Sequence, residues 1–542
     1  MKNHRNILHG PPFVFEFPNG TTVGQLLFDQ IASADEQIAQ IQKETGQELK
    51  FKDILEKSCK LAVYLRNNGI QVNDRISICS ENNLGWSNTI CATLFVGATI
   101  CPLNPMYSER EFLHAINITK PKILFVSPAV FTSVNSYIRK LNWRPIVILL
   151  FNDPSINNIS INDLITNISN KDIADFHLTK VDVNSHIVSI LCSSGTTGLP
   201  KGVMLSDKNY LTNIQTMMDG TFGLSSSSQV LICLLPFFHA YCFTVLIMGL
   251  IAGATGIVFS HFEEEAFLET IQQYKIEVLT LVPPLMVFLA KHPLVDKYDL
   301  SSIKIIWCGA APLSRNIEET IKKRLKNIEI RQAYGMTETT LSVTKIPENC
   351  GKLGSVGKLL PGVSAKVVAV DEIGAVSAEP MGPNCRGELC FKGDIIMKGY
   401  CGDVSSTSAT IDEDGWLHTG DIGYYDNDGY FYIVDRLKEL IKYKGFQVPP
   451  AELEAILLSN PNIKDAAVVG LPDEKAGELP IAFIVKQPNS TITAKEVQQY
   501  VNERVSNQKR LRGGVRFLDN IPKNPSGKIL RRELRALLKS KL

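Results

Sequence analysis

Apolar positions in the first part of the chain alternate between two spacings. Over residues 51–68 they recur three or four positions apart, which predicts an amphipathic helix. Short apolar runs that follow have the character of buried strands. The segments predicted to continue this alternation of strand and helix lie at 75–78, 89–97, 99–102, 109–118 and 123–126. Such alternation favours largely parallel sheets that are flanked by helices.

Two longer stretches are less regular. Residues 151–180 are polar and rich in Asn, Ser and Ile, which predicts a surface insertion. Residues 241–259 carry no charge over 19 positions and have the length of a membrane span. Their three glycines and the absence of flanking basic residues favour instead a buried helix that leads into a strand. We therefore expect no transmembrane span.

The second half of the chain has other patterns. Residues 387–397 and 416–423 alternate as in a small β-barrel or sandwich. Later helix and strand patterns lie at 451–458, 465–471, 479–485 and 494–505. With 542 residues, the chain is too long for a single core. We predict an α/β fold: a large N-terminal body of mixed, mainly parallel sheets flanked by helices plus a small β-barrel, residues 1–435, and a small α+β C-terminal cap, residues 436–542.

Charge is unevenly distributed, although the net charge is only +1. From Arg436 onward there are 20 Lys and Arg against 11 Asp and Glu, a net +9, which leaves −8 for the rest of the chain. A basic module suits a phosphate-rich ligand. Because no basic stripe interleaved with aromatic residues occurs, we expect a small ligand and no nucleic acid. The 12 Cys residues lack CxxC pairs and are expected to be reduced structural thiols.

Residues 191–202, LCSSGTTGLPKG, have the composition of a phosphate-binding loop. Glycine adopts backbone angles closed to other residues, hydroxyls donate hydrogen bonds, and a lysine supplies a mobile charge. The candidate residues are Ser193, Ser194, Gly195, Thr196, Thr197 and Lys201. Gly202 follows the lysine where a Walker A loop has Ser or Thr, so a P-loop NTPase is not expected. A strand predicted at 186–191 and a helix at 208–218 place the loop at a strand end, although such a segment alone is usually a solvated turn.

A second candidate segment is 330–340, IRQAYGMTETT, which follows a predicted strand. Tyr334 can stack on a purine, and Gly335 permits close approach of a ligand. Thr337 can bond a phosphate, and Glu338 is an oxygen ligand suited to Mg²⁺.

Three single residues and one short segment are further candidates, and most of them have an ordinary structural alternative. His239 lies among aromatic residues, where a histidine is more often a packed core residue than a catalyst. The small residues at 308–312 allow a flat ring close to the backbone, or only a tight turn. Asp421 can accept two hydrogen bonds from a sugar, or be solvated. Lys528 lies on a loop rich in Pro and Gly and can offset negative charge during attack at a phosphate.

Together these segments resemble the motifs of the adenylate-forming enzymes, which include acyl-CoA synthetases, 4-coumarate:CoA ligases and beetle luciferases. The likeness runs from about residue 191 to residue 529. Besides the loop at 191–202, it implies nucleotide or CoA contacts at Gly309, Ala310, Ala311, Gln332, Ala333, Tyr334, Gly335, Asp421, Arg436, Lys438, Lys444 and Gly445. It implies a hinge around Asp435 and Arg436. The catalytic residues implied are His239, Thr337, Lys442 and Lys528, with Glu338 as the ligand of Mg²⁺.

The resemblance implies an ATP-dependent fatty acid:CoA ligase that acts through an acyl-adenylate and releases AMP and pyrophosphate. Lys528 would serve the first half-reaction, and a rotation of the cap would then present Lys442 for attack by CoA. The implied acid pocket is lined by Phe238, His239, Tyr241, Met336, Leu341 and Ser342. Because this lining is mostly apolar and has no obvious charge, we expect a medium- or long-chain fatty acid.

Three alternatives remain open. A beetle-type luciferase is the nearest, but residues 210–218 lack the arginine that those enzymes carry there, and Phe238 replaces a second histidine. A 4-coumarate:CoA ligase-like enzyme would take an aryl acid. A non-catalytic nucleotide-binding protein would keep the fold without the reaction.

The last three residues, Ser540, Lys541 and Leu542, form the peroxisomal address SKL. We expect a peroxisomal import receptor as a partner and the peroxisome as the location.

Overall fold

Five β-sheets organise the part of the chain that the structure, a computed structural model, describes. The described residues are 6–193, 199–219, 230–370, 376–444, 446–524 and 527–539. Four sheets are mixed, including the sheet of the C-terminal part, and one is antiparallel. The predicted α/β class, with mainly parallel mixed sheets, flanking helices and a C-terminal domain, is confirmed.

The largest sheet has seven strands, with parallel pairings at its centre and antiparallel pairings at one edge. In spatial order the strands are Gly399–Tyr400, Lys201–Ser206, Ile187–Ser193, Thr99–Leu103, Arg75–Cys79, Ile123–Val126 and Ile146–Leu149. Parallel strands are usually covered on both faces, so they are continuous apolar runs. Ile123–Val126, for example, is buried along its whole length.

The helices of this part of the chain pack on the sheet and on one another. They are Val23–Ala34, Phe51–Asn67, Gly85–Phe95, Glu109–Thr119, Pro128–Ile138, Ile161–Ile165, Asn170–Ala174 and Asp207–Met218. All eleven residues of Gly85–Phe95 are buried, because Val23–Ala34 and Phe51–Asn67 pack against it. The helix and strand alternation predicted for residues 51–126 is therefore present.

The polar segment 151–180 is more than the predicted surface insertion. It contains the helices Ile161–Ile165 and Asn170–Ala174, each of which starts with a serine capping box. Ile161, Ile165 and Phe176 are buried in the main hydrophobic core. A few apolar side chains spaced among polar ones thus anchor the segment.

Two smaller mixed sheets lie next along the chain. One has the strands Val278–Leu281, Ile305–Cys308, Glu329–Tyr334, Thr344–Lys345 and Lys358–Leu359. The other has Val230–Cys233, Thr255–Val258, Ile38–Gln42 and Glu48–Lys50. Their helices are Ala240–Ile251, Glu264–Tyr274, Pro283–Lys291 and Arg315–Arg324, with 3₁₀ turns at Pro293–Lys297 and Thr337–Thr339.

The uncharged stretch at 241–259 forms a buried helix followed by a strand, as predicted. The helix is Ala240–Ile251, and the strand Thr255–Val258 pairs with two neighbours in its sheet. Among the described residues, no helix combines the length and the apolar character that crossing a bilayer needs.

An antiparallel sheet occupies the position of the predicted small β-barrel. Its strands run in the order Leu8–His9, Ser364–Val370, Gly387–Lys392, Leu417–Tyr425 and Phe431–Arg436, with Val376–Pro380 also paired to Ser364–Val370. The helix Val404–Thr410 belongs to the same region. No pairing joins the first and last strands among the described residues, so this ladder is an open sheet.

The residues from 441 to 539, which we call the C-terminal lobe, have hydrophobic clusters of their own. The strands of the lobe are Ile441–Tyr443, Phe446–Val448, Ile463–Asp473, Gly477–Lys486 and Gly514–Phe517. Its helices are Pro450–Leu458, Ala494–Asn502 and Arg531–Lys539, with a 3₁₀ turn at Asn507–Lys509. The division at residues 435 and 436 stays a prediction.

The segment that surrounds the predicted phosphate loop differs from expectation. The strand Ile187–Ser193 does not lead directly into a helix, because the strand Lys201–Ser206 pairs with it in antiparallel register, with Ser193 opposite Lys201. The helix Asp207–Met218 begins only after this hairpin. Lys201 is thereby fixed on a strand, while residues 194–198 lie outside the described part of the chain.

Candidate active site

A cleft of about 390 Å³ lies where the body meets the C-terminal lobe. Most of the residues that the sequence suggested line it, although they come from seven separate segments. Those residues are Ser193, Lys201, His239, Tyr241, Gly309, Ala310, Ala333, Tyr334, Gly335, Met336, Thr337, Glu338, Leu341, Ser342, Asp421, Arg436, Lys438 and Lys528. The fold therefore brings the separate motifs to one place.

The remaining candidates lie elsewhere. Phe238 packs against the main core, and Gln332 donates its side-chain amide to Glu318 at 3.0 Å. The structure describes Ala311, Lys442 and Lys444, but these residues do not line the cleft. Ser194, Gly195, Thr196, Thr197 and Gly445 lie outside the described residues.

At one side of the cleft, three side chains form a connected polar group. The hydroxyl of Tyr334 donates to Asp421 Oδ2 at 2.7 Å, and Arg436 Nε lies 3.3 Å from Asp421 Oδ1. Burial raises the pKa of Asp421, while the charge of Arg436 and the Tyr334 hydroxyl oppose that shift. Burial and the neighbouring carboxylate hold the pKa of Tyr334 well above its ordinary value. The Asp421 carboxylate faces the cleft as an acceptor that suits vicinal hydroxyls.

Lys201 and Glu338 meet through one tyrosine. Lys201 Nζ lies 4.7 Å from the centre of the Tyr400 ring and donates to Ser406 Oγ at 2.8 Å. The Tyr400 hydroxyl donates to Glu338 Oε1 at 2.9 Å. Glu338 is 5% exposed. The hydrogen bond from Tyr400 holds one of its carboxylate oxygens in place, and the ring of the same tyrosine contacts Lys201.

The segment that carries Glu338 is tightly folded, and only glycine fits at its start. A Cβ atom on Gly335 would lie 1.7 Å from the carbonyl oxygen of Leu341. Thr339 Oγ1 accepts a hydrogen bond from the backbone of Met336 at 2.9 Å, which closes the turn. Leu341 takes a φ of 98°, a conformation that non-glycine residues rarely adopt. The close packing sets Glu338 and the apolar side chains of this segment on the cleft wall.

His239 caps the helix Ala240–Ile251 and also lines the cleft. Its Nδ1 accepts from the backbone N–H of Tyr241 at 3.4 Å. Burial and the positive charge of Lys528 lower the pKa of the imidazole to about 4, so the ring is neutral near pH 7. A neutral ring can donate or accept one hydrogen bond without adding charge.

Lys528 reaches the cleft from the C-terminal lobe. Its backbone N–H donates to Asn524 Oδ1 at 2.8 Å, and Asn524 N–H donates back to the Lys528 carbonyl at 2.9 Å. Burial and the charge of Arg436 lower the pKa of Lys528 to about 8, against the opposing charges of Glu439, Asp421 and Glu338. The ammonium of Lys528 therefore lies among the other charged groups of the cleft.

The lobe touches the body at several other points. A Cβ atom on Gly527, whose φ is +81°, would lie 2.8 Å from the Pro284 ring. Lys291 Nζ donates to the carbonyl oxygens of Leu458 at 2.8 Å and Ile463 at 3.3 Å. Lys442 points away from this contact: its side chain is exposed, and its backbone N–H donates to Glu478 at 2.9 Å.

The cleft has two ends of different character. The charged end holds Lys201, Tyr334, Glu338, Asp421, Arg436 and Lys528. The apolar end holds Met217, Tyr241, Val245, Met248, Trp307 and Lys345. Tyr241, Val245 and Met248 lie at helical spacing and face the cleft together.

Sequence reasoning missed residues at the apolar end and also elsewhere on the cleft wall, such as Glu388 and His418. Lys345 lines the apolar end, so the expectation of a pocket without charge is wrong. Tyr400 and Trp307 were missed as well. No local motif surrounds them, and the only available signal for Lys345 was a lone lysine next to the apolar positions of a short strand.

A family model of the AMP-binding enzymes matches residues 27–401, and a model of the AMP-binding enzyme C-terminal domain matches residues 452–528. The chain belongs to the AMP-binding, adenylate-forming enzymes. Membership supports the binding of ATP and an activity of the acyl- or aryl-CoA ligase type or of the luciferase type.

Individual relatives of this AMP-binding enzyme cover nearly all of it. Luciferin 4-monooxygenase of Photuris pensylvanica is 42% identical and covers 99% of both chains. 4-Coumarate–CoA ligase 1 of Petroselinum crispum is 39% identical over 95% of this chain and 93% of its own. ATP-bound MatB from Rhodopseudomonas palustris is 26% identical over 96% and 100% of the two chains, with a TM-score of 0.84. The apo form of MatB gives 0.74 over 96% and 99%.

Proposed function

We propose that the protein is an ATP-dependent acid:CoA ligase that acts on a medium- or long-chain fatty acid through an acyl-adenylate. The observation that carries the proposal is the position of Lys528, which enters the charged end beside Asp421 and Glu338 while Lys442 stays outside. A cleft that binds only a nucleotide has no need of an acid-binding wall. The apolar end supplies such a wall next to the charged groups.

In the first half-reaction, a carboxylate oxygen of the acid attacks the α-phosphorus of ATP. The bond between that phosphorus and the oxygen that leads to the β-phosphate breaks, and pyrophosphate leaves with the electron pair. Negative charge grows where the carboxylate and the phosphate approach. Lys528, Lys201 and Thr337 lie on the cleft walls in positions that suit this charge. Asp421 and Tyr334 would hold the ribose and the adenine.

The residues also fit a bound Mg²⁺. Mg²⁺ is usually bound by one or two carboxylates, with phosphate and water oxygens completing its coordination. Glu338 offers one buried carboxylate at the charged end, with a single oxygen engaged by the Tyr400 hydroxyl. When bound, Mg²⁺ would neutralise phosphate charge.

In the second half-reaction, the thiolate of CoA attacks the acyl carbon of the acyl-adenylate. The bond between that carbon and the phosphate oxygen breaks, so AMP leaves and a thioester forms. We place Lys442 at the site during this step, after the C-terminal lobe has turned about Asp435 and Arg436. Asp435 is suited to a hinge because its carboxylate bonds the backbone of Arg436 at 2.7 Å and that of Ala451 at 2.9 Å.

The likeness to ATP-bound MatB supports an assignment of the described orientation. The TM-score is higher against the ATP-bound form than against the apo form of the same protein, at equal identity. The orientation described, with Lys528 inside the cleft, then corresponds to the state that carries out adenylation.

The test is a two-part assay with a panel of acids. Exchange of labelled pyrophosphate into ATP reports the first half-reaction, and AMP release with and without CoA reports the second. Saturated fatty acids of 8 to about 18 carbons are expected to support both. If no acid of the panel supported pyrophosphate exchange, only a nucleotide-binding role would remain.

A luciferase activity is the second candidate, because the identity of 42% to the Photuris enzyme is as high as that to any ligase reported above. Against it, the helix Asp207–Met218 carries no arginine, and Phe238 stands where luciferases have a second histidine. Luciferin is therefore included in the panel. Strong light emission with luciferin, ATP and oxygen would favour this candidate over the ligase.

The location proposed is the peroxisome, on the strength of Ser540, Lys541 and Leu542. A fluorescent protein fused to the N-terminus is expected to appear in peroxisomes. The same fusion without the last three residues is expected to stay outside them, and identical distributions would contradict the proposal.

A further inference from the structure

Lys345 is a buried lysine on the wall of the apolar end. It is 3% exposed, and its Nζ contacts the sulfur of Met217 and lies 5.7 Å from the centre of the Trp307 ring. Among the described residues, no carboxylate lies within the 4.0 Å of an ion pair. A lysine is almost never fully buried without a partner, because removing its charge from water is costly.

Two neighbouring groups share this lack of partners. Trp307 Nε1 and the Ser342 hydroxyl are buried on the cleft wall and make no hydrogen bond within the described part of the chain. Indole N–H and ammonium groups only donate, and a hydroxyl donates one hydrogen bond. Three donors therefore lie on residues of this wall, and among the described residues the weakly accepting Met217 sulfur is the one partner that the structure gives them.

Arg331 shows what a purely structural cation looks like in this region. It is 2% exposed and lies 5.5 Å from the Trp307 ring, so its burial and its stacking match those of Lys345. Unlike Lys345, it is paired with Glu329 and lies 3.8 Å from Glu348. The described residues supply acids for Arg331 but none for Lys345, and of the two cations only Lys345 lines the cleft.

Lys345 is also separate from the charged end. Burial alone lowers the pKa of its ammonium to about 7, and no charged side chain contributes. Lys528, in contrast, is influenced by Arg436, Glu439, Asp421 and Glu338. The described surroundings of the two lysines therefore differ: Lys345 contacts Met217 and Trp307, whereas Lys528 lies among charged groups.

We propose that Lys345, with Trp307 and Ser342, binds an anionic group at the end of the substrate remote from the carboxylate that is adenylated. The substrate is then a bifunctional acid with an apolar middle, of the α,ω-dicarboxylic class. This inference rests on the proposed ligase function and specifies its substrate. An ordinary fatty acid would bring a methyl group to a buried ammonium, whereas a second carboxylate would offer that ammonium a charged acceptor.

The test compares acids of one length that differ only at the far end. Pyrophosphate exchange is measured with dodecanoate, 12-hydroxydodecanoate and dodecanedioate, and with the corresponding 8- and 16-carbon acids. Wild type is expected to prefer the dicarboxylate of the best length by about 10- to 100-fold in kcat/KM, mostly through KM. In Lys345→Met this preference should invert, with a loss of similar size for the dicarboxylate and a gain of about 5-fold for the monocarboxylate.

Two further variants keep the result interpretable. Lys345→Arg retains the charge and should retain the preference for the dicarboxylate, which a merely structural role for the lysine does not predict. Lys275→Met, at an exposed lysine paired with Asp299 at 3.1 Å, is the matched surface control and should behave as wild type. Should Lys345→Met fail to fold, Ser342→Ala is expected to reduce the preference by about 3-fold.

A binding readout is independent of turnover. Dodecanedioate should bind the protein more tightly at pH 6 than at pH 8 in calorimetry, because above its pKa of about 7 Lys345 must first take up a proton. Dodecanoate should show no such dependence on this lysine.

The possible failures are distinguishable. If no acid supports exchange in wild type, the ligase function itself is wrong. If dodecanoate or the hydroxy acid is preferred and Lys345→Met leaves the ranking unchanged, the ligase function stands and the anionic far end is overturned.

Discussion

The charged end and the apolar end of the cleft are built in opposite ways. At the charged end, each ionic group has a neighbour of opposite charge or a hydroxyl: Asp421 has Arg436 and Tyr334, and Glu338 has Tyr400. At the apolar end, Lys345 has none among the described residues. A site that handles the same nucleotide in every turnover can be completed by the protein itself. A site that selects one acid can instead leave one of its charged groups unpaired, so that the bound acid supplies the partner.

The largest expected effect is at Lys528. Lys528→Ala should reduce pyrophosphate exchange by about 1,000-fold with every acid, because the cation that offsets charge during attack is removed. The variant should still convert a supplied acyl-adenylate to the thioester. Separate assays of the two half-reactions check this.

Lys442→Ala is the matched control, on the same lobe but outside the cleft. It should leave exchange intact and slow thioester formation by about 100-fold. Equal losses in both half-reactions for both variants would contradict the proposal that the lobe uses two orientations.

Asp421→Asn should be next in size. The amide keeps the shape but loses the charge and one acceptor, so KM for ATP should rise by about 10- to 100-fold. The ranking of acids should not change, because the substitution lies at the charged end. The control is the surface variant Asp394→Asn, which removes an ion pair to Lys208. A changed ranking of acids in Asp421→Asn would contradict the division of the cleft into two ends.

Val245→Phe should affect the apolar end alone. The larger ring fills part of the wall formed by the helix Ala240–Ile251, so the preferred acid should become shorter, with about a 10-fold loss for the longest acid. KM for ATP should stay at the wild-type value. Chain-length profiles at saturating ATP measure the shift, and an unchanged profile would place the acid elsewhere.

The smallest effect is on pH dependence. Lys528 has its pKa lowered to about 8, so its ammonium is present below that pH and is lost above it. Exchange should therefore fall to about half near pH 8 and continue to fall at higher pH. Lys528→Arg stays charged and should lack this decline, whatever its rate. The same alkaline decline in Lys528→Arg would assign it to another group.

The same contrast explains what could be predicted from the sequence. The charged end is carried by contiguous strings, such as 330–340, because close approach of phosphate and purine requires glycine, hydroxyl and carboxylate residues side by side. The apolar end receives one to three side chains from each of several elements, including Met217 from Asp207–Met218 and Lys345 from Thr344–Lys345. Ordinary apolar residues at helical spacing do not differ in sequence from any other core face.

The prediction of local structure from the sequence was wrong in one informative place. The strand Lys201–Ser206 was not predicted, because it begins with a lysine and a glycine that are typical of a loop. Pairing to Ile187–Ser193 overrides that local preference. The roles of individual residues, and the boundary between body and lobe, stay predictions from the resemblance.

Lys291 links the body to the C-terminal lobe through hydrogen bonds. Its ammonium bonds the carbonyl of Leu458, the last residue of the helix Pro450–Leu458, where the helix dipole is negative. The rotation that we propose for the lobe would break this bond, and the return of the lobe would form it again. Since such bonds contribute only about 1–3 kcal/mol each, this contact favours the described orientation without locking the lobe in it.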